Sequence, residues 1–197
     1  MEPFENTGQP DWDWWGRLWP TPAATLRRLG ISSGDRVAEV GCGNGYFALP
    51  AARITDPAET YAIDLNESLL AELQHLADQR GIDNVVPVFA DARDLADSLD
   101  TAVDVLVLAN TFHGIDAPEK VVREAAAVLA PGGRFVVVNW HDQPRESTTV
   151  LGEPRGPPTA LRLSPDETEA IVTAASPFSL VTQHELPPYH YAAVFER

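Results

Sequence analysis

Cysteine is nearly absent from this 197-residue sequence, and so are methionine and lysine, with one of each. A lone Cys42 forms no internal disulfide and supplies no multi-cysteine zinc or iron–sulfur site. None of the five histidines is paired at zinc-ligand spacing, so no metal is expected. Basic residues are scarce: 14 Lys and Arg stand against 29 Asp and Glu, a formal charge of −15. Lys120 is the single lysine, and Arg27-Arg28 is the largest basic run. Attachment to nucleic acid or to an anionic membrane rests on clustered Lys and Arg, and the sequence offers none. No apolar run approaches the ~20 residues of a membrane span. The start, Met1-Glu2-Pro3-Phe4-Glu5, lacks the basic and apolar regions of a signal peptide, so a cytoplasmic location is expected.

The length suits one domain with one full core. Its organising stretch runs from Val37 to Phe47, Val-Ala-Glu-Val-Gly-Cys-Gly-Asn-Gly-Tyr-Phe. A short apolar strand leads into glycines 41, 43 and 45, and an Ala-rich helical run from Ala48 to Ala52 follows. Glycine is needed where the backbone takes positive φ or where a ligand must come closer than a Cβ allows. The spacing is not that of the dinucleotide fingerprint Gly-x-Gly-x-x-Gly, because the third glycine comes one position early and Tyr46 takes its place. The phosphate-cradling loop ending in Gly-Lys-Ser/Thr is missing too.

Around this stretch, apolar runs and helical periodicities alternate. Strands are expected at 36–40, 60–64, 85–90, 103–109 and 134–140, with helices near 22–29, 67–79, 93–99 and 118–129 between them. The run 103–109 is almost wholly apolar, as in the middle of a parallel sheet. Residues 141–160 read as a long loop, and Ser164-Pro165-Asp166-Glu167 caps a helix to about 175. Two last strands, 178–185 and 189–196, meet at Pro187-Pro188 as an antiparallel hairpin. The fold class is α/β, a doubly wound and mostly parallel seven-stranded Rossmann-like sheet ending in that hairpin. Residues 1–20 form a Trp-rich segment, with Trp12, Trp14, Trp15 and Trp19, that caps the single domain 21–197 or closes over its pocket.

The glycine-rich turn with Glu39 two positions before the first glycine resembles the first motif of the class I S-adenosylmethionine-dependent methyltransferases. Among these the chain is similar to the small-molecule type represented by the ubiquinone/menaquinone-biosynthesis enzymes. The resemblance implies S-adenosylmethionine as cofactor, S-adenosylhomocysteine as product, and a cofactor site built from Glu39, Gly41, Cys42, Gly43, Asn44 and Gly45. Asp64, with Leu65 beside it, ends the second strand 23 positions after Gly41, where a carboxylate can accept from both ribose hydroxyls. Asp91 and Ala92 take the place of the family's adenine contact, and Asn110 that of the residue holding the methionine moiety. The stretch Ala109-Asn110-Thr111-Phe112-His113 departs from the Asn/Asp-Pro-Pro-Tyr/Phe signature of members that methylate nucleic-acid bases or glutamine. That departure points to a small-molecule acceptor, and one cysteine argues against a metalloid bound by thiolates.

His113 and His141 follow strand ends on the ligand side and are the candidates for a base; each could instead bond loop backbone. The loop from Asn139 to Glu146 and from Gly152 to Pro158 is the expected acceptor-recognition element, its arginines suited to an acidic group or to neighbouring acids. The alternatives are a nicotinamide-dependent oxidoreductase, disfavoured by the glycine spacing, and a non-catalytic S-adenosylmethionine-binding sensor or partner protein. The sequence leaves the oligomeric state open.

Overall fold

A computed structural model describes residues 10–197. The first nine residues of the expected cap segment, with the polar start of the chain, lie outside it. Five parallel strands carry the sheet: β1 (Val37–Val40), β2 (Thr60–Asp64), β3 (Val85–Phe89), β4 (Val103–Ala109) and β5 (Leu129–Trp140). Within the 141–160 loop two short strands, β6 (Thr149–Val150) and β7 (Glu153–Pro154), make a small hairpin. The chain ends in β8 (Ser179–Leu186) and β9 (His190–Glu196). The seven-stranded order is β3-β2-β1-β4-β5-β9-β8, with β9 antiparallel to both β5 and β8. Strand order reverses between β1 and β4, which places the carboxyl ends of Val40 and Leu108 side by side.

Period-2 alternation sends successive side chains to opposite faces, and both faces are covered. Leu106, Leu108, Phe135 and Val137 face α5 (Pro118–Val128) and α6 (Pro165–Ala175). Val105, Val107, Val136 and Val138 face α1 (Trp12–Leu18), α2 (Pro22–Arg28) and α3 (Ala48–Thr55). The remaining helix, α4 (Glu67–Arg80), closes a third apolar cluster with α3 through Leu70, Leu73 and Ala77. Local chemistry fixes the helix ends. Asn66 accepts from the amides of Ser68 and Leu69 at the start of α4, and Gly81 ends that helix at φ +60°. Ser164 and Glu167 complete the expected capping box of α6.

The elements differ from expectation in four places. The Trp-rich segment contains a seven-residue helix, α1, whose own length would not sustain it in water; burial of Trp14, Trp15 and Leu18 does. The expected helix 93–99 is only a 3-10 turn at Ala92–Asp94, since both Leu95 and Leu99 are drawn into the core without a regular helix between them. β5 starts at Leu129, five residues early, because Leu129 pairs with Val103 and the Pro131-Gly132-Gly133 turn bulges out before pairing resumes at Arg134. Asn139 and Trp140, expected both as the end of strand 134–140 and as the start of the recognition loop, are the buried end of β5, so the strand reading holds and the loop begins later.

Candidate active site

A cleft of about 780 Å³ opens at the carboxyl ends of β1, β2, β3 and β4. Its floor is the glycine turn. Gly41, Gly43 and Gly45 all have positive φ, at +73°, +55° and +90°, a conformation that side chains resist. A Cβ on Gly41 would collide with the Thr111 side chain, and one on Gly45 would press Leu49 and Leu73 at 2.9–3.0 Å. Close packing, as well as ligand approach, therefore demands these glycines. The amides of Gly41 and Cys42 both donate to the Ile63 carbonyl, at 2.8 and 3.1 Å, and Gly43 donates to Asp64 Oδ2 at 2.8 Å. Asp64 Oδ1 accepts from Asn66 at 2.9 Å. This carboxylate thus locks the turn after β1 to the turn after β2 while lining the cleft.

Glu39 lies on the cleft wall at 3% exposure. It lies beside the Ala48 amide at the start of α3, and among the described residues its buried Oε2 has no hydrogen-bond partner. Burial, and then the nearby Asp64 charge, push its carboxyl well above the usual carboxylate range. A buried acceptor left in this state costs roughly 1–3 kcal/mol, and none of the described residues supplies the donor that would offset it. Asn110, at φ +61°, is in the same position: both of its side-chain amide atoms are buried without partners among the described residues, and the residue lines the cleft.

His113 sits on the 3-10 turn Phe112–Gly114 after β4 and lines the same cleft. Its Nδ1 bonds Asn139 Oδ1 at 2.9 Å. Burial, opposed by this bond and joined by the charge of Arg162, lowers its pKa and favours neutral imidazole. Trp15, Tyr46 and Phe47 wall the cleft on the α1 side. The Tyr46 hydroxyl donates to the Trp19 carbonyl at 2.8 Å, and its ring meets Trp12 and Trp15 edge-on at 5.2 and 6.2 Å. The residue that breaks the dinucleotide glycine pattern thereby ties α1 to the turn.

Of the residues singled out in the sequence, Glu39, Gly41, Cys42, Gly43, Asp64, Leu65, Ala92, Asn110 and His113 line the cleft. Gly45 packs behind them. Three do not join them. Asp91 is buried and its carboxylate is held by Arg93, at 3.0 and 3.2 Å from Nε and 2.6 Å from Nη2. The arginine holds its pKa below the usual range, and the neighbours of Asp91, Ala90 and Ala92, line the cleft. Asn44 is buried against Glu72 of α4 at 3.0 Å. His141 leans on the Tyr191 ring and bonds Glu185 at 3.0 Å, outside the cleft lining. The loop arginines are elsewhere as well: Arg145 donates to the Gly156 carbonyl, and Arg155 stacks over Trp14 at 5.1 Å. Among the described residues no lysine or arginine lines the cleft. Sequence reasoning missed Phe89, exposed at the end of β3 on the cleft rim, and took Asn139 as the start of the recognition loop and not as the partner of His113.

The family described as Methyltransferase domain matches residues 31–170. The chain belongs to that family. It is a class I S-adenosylmethionine-dependent methyltransferase domain, and its cofactor is S-adenosylmethionine. Similar proteins include the 27-O-demethylrifamycin SV methyltransferase of Amycolatopsis mediterranei, 34% identical over 55% of this chain and 40% of the relative. The ubiquinone/menaquinone biosynthesis C-methyltransferase UbiE of Azotobacter vinelandii is 30% identical over 70% of this chain and 53% of its own length. The match thus spans only about half the length of such curated relatives. The fold matches a SAM-dependent methyltransferase from Aquifex aeolicus at a TM-score of 0.78, with 22% identity and 92% of each chain covered. It also matches the magnesium protoporphyrin IX methyltransferase of Synechocystis, solved with bound SAH, at 0.69 over 94% of this chain and 93% of that one, with 14% identity. The oxidoreductase reading finds no support in these matches.

Proposed function

We propose that this methyltransferase domain moves a methyl group from S-adenosylmethionine to an uncharged small molecule that gives up a proton to His113. The observation that carries the reading is the composition of the cleft: Glu39 with an unpartnered Oε2, Asp64 and Glu67, a neutral histidine, and no lining lysine or arginine among the described residues. Such a wall attracts a cationic cofactor and repels an anionic acceptor. The donor set fits the group. Glu39 Oε2 would take the cofactor's ammonium, and Asp64 its ribose hydroxyls. Phe89, Leu65 and the backbone at Ala92 would hold the adenine, and Asn110 the polar end of the methionine or the acceptor.

Bound S-adenosylmethionine supplies a methyl group on a positively charged sulfur, ready for in-line displacement. The chain's task is then alignment in a dry pocket, worth up to about 7–11 kcal/mol, and removal of the acceptor's proton. Trp15, Tyr46 and Phe47 keep water from one side. His113 Nε2, opposite the nitrogen held by Asn139, takes the proton.

The test is S-adenosylhomocysteine release with panels of hydroxylated rings, amines and carboxylic acids. Turnover is expected with neutral hydroxylated acceptors and not with carboxylates. His113→Gln should cut that turnover about 10²–10⁴-fold while leaving cofactor affinity near wild type. Tight cofactor binding without turnover on any acceptor would favour the sensor reading.

A further inference from the structure

We propose that Asn139 is a positioning residue that fixes the tautomer of His113, holding the proton on Nδ1 so that Nε2 keeps its lone pair for the acceptor. This rests on the reading of the cleft given above, and adds to it a residue that no cofactor or acceptor touches. Asn139 is fully buried in β5, the one amide in the run Phe135-Val136-Val137-Val138-Asn139-Trp140. Its row on the sheet is Phe135, Val137, Asn139, facing α5 and α6. Burying an amide among such neighbours costs free energy unless a partner repays it. Its partner is His113, through Oδ1 to Nδ1 at 2.9 Å. The backbone sets up this meeting. Asn110 donates to the Val138 carbonyl at 2.8 Å, so the chain leaving β4 is pinned beside the end of β5 and the 3-10 turn carries His113 over Asn139.

The choice of an amide rather than a carboxylate has a chemical consequence. A carboxylate at position 139 would also orient the ring, but it would favour imidazolium, which has no lone pair to accept a proton. The amide orients without charging. The charged or titratable groups that face this ring are Arg162, which follows β7, and His190 at the start of β9; neither favours the protonated form. The Nδ2 end of the Asn139 amide is turned to the Tyr191 hydroxyl, which leaves Oδ1 for the ring. An acceptor for the ring proton therefore stands on the Nδ1 side.

The experiment is long-range ¹H–¹⁵N correlation spectroscopy of the histidine rings in ¹⁵N-labelled protein, with His113 assigned from its loss in His113→Gln. The wild-type ring should be the neutral Nδ1–H tautomer at pH 7. Asn139→Leu should shift it toward Nε2–H while the methyl signals of the sheet stay in place. Asn139→Asp should keep Nδ1–H and raise the titration midpoint by about 1–3 pH units, and should move the acid limb of S-adenosylhomocysteine formation upward by the same amount. A wild-type Nε2–H ring, or an Asn139→Leu protein with unchanged tautomer, would overturn the proposal. If Asn139→Leu does not fold, an unmoved midpoint in Asn139→Asp overturns it equally. Calorimetric titration of the wild type with S-adenosylmethionine separates the two readings: absent binding sinks the proposed function, whereas the ring spectra decide on Asn139.

Discussion

At the residue scale the cleft trades stability for readiness to bind. Glu39 is destabilising where it stands, because folding favours its protonated form. The stability tied to that protonated form is fully present below the usual carboxylate range and is lost as pH rises through the raised pKa, so the cost is felt at neutral and higher pH. Glu39→Gln should therefore raise the melting temperature of the cofactor-free protein at pH 8, and weaken S-adenosylmethionine binding about tenfold or more through loss of a charged hydrogen bond of 1.5–3 kcal/mol. Paired thermal and calorimetric titrations check both halves. His190 has the opposite sign. It is enclosed by Trp19 at 4.5 Å and Trp140 at 4.2 Å, with Trp15 at 6.4 Å, and burial holds its pKa well below that of free histidine. The stability tied to this neutral form is full above about pH 6.5 and falls as pH drops below it, by up to ~1.4 kcal/mol per pH unit. Thermal unfolding between pH 7.5 and 5 should show that decline, and His190→Phe should flatten it. Residues legible in the sequence were those fixed by local pattern, as Glu39, Gly41 and Asp64 are by the first motif. The Asn139–His113 pair and the choice of Trp15 as a cleft wall depend on contacts across the sheet, and the bond of Asp91 to Arg93 two residues on was not read from the sequence.

At the element scale, the strand and helix units between β1 and β5 follow from their apolar periods, and the edge strand β8 alternates exposed and half-buried side chains as a one-sided strand should. The α1 helix and the β6–β7 hairpin were not legible, because neither has the length or pattern to form alone. Each is made by what it packs on. Tyr46 links α1 to the cofactor turn, so the helix and the turn should move as one unit. Tyr46→Phe removes the bond to the Trp19 carbonyl and should cost about 0.5–1.5 kcal/mol. Hydrogen exchange should then quicken in residues 12–19 ahead of the sheet; uniform change across the chain would show that α1 is not tethered there.

At the scale of the whole molecule, the sheet order and the reversal between β1 and β4 bring the ends of four strands together, and this topology makes one cleft from residues far apart in the chain. The charge of −15 acts over the same distance. Self-repulsion of that size destabilises the compact state and is screened by salt, so the unfolding midpoint should rise between low and molar KCl; no gain would show that the acidic surface is not limiting. Among the described residues no helix is long and apolar enough to cross a membrane. The central claim is that the Gly41–Gly45 turn and its acidic partners Glu39 and Asp64 hold the cofactor of a methyltransferase. Calorimetric titration of the purified protein with S-adenosylmethionine, S-adenosylhomocysteine and NAD(H) tests it most directly. The account predicts micromolar binding of the first two and none of the third. Binding of NAD(H) alone would contradict it.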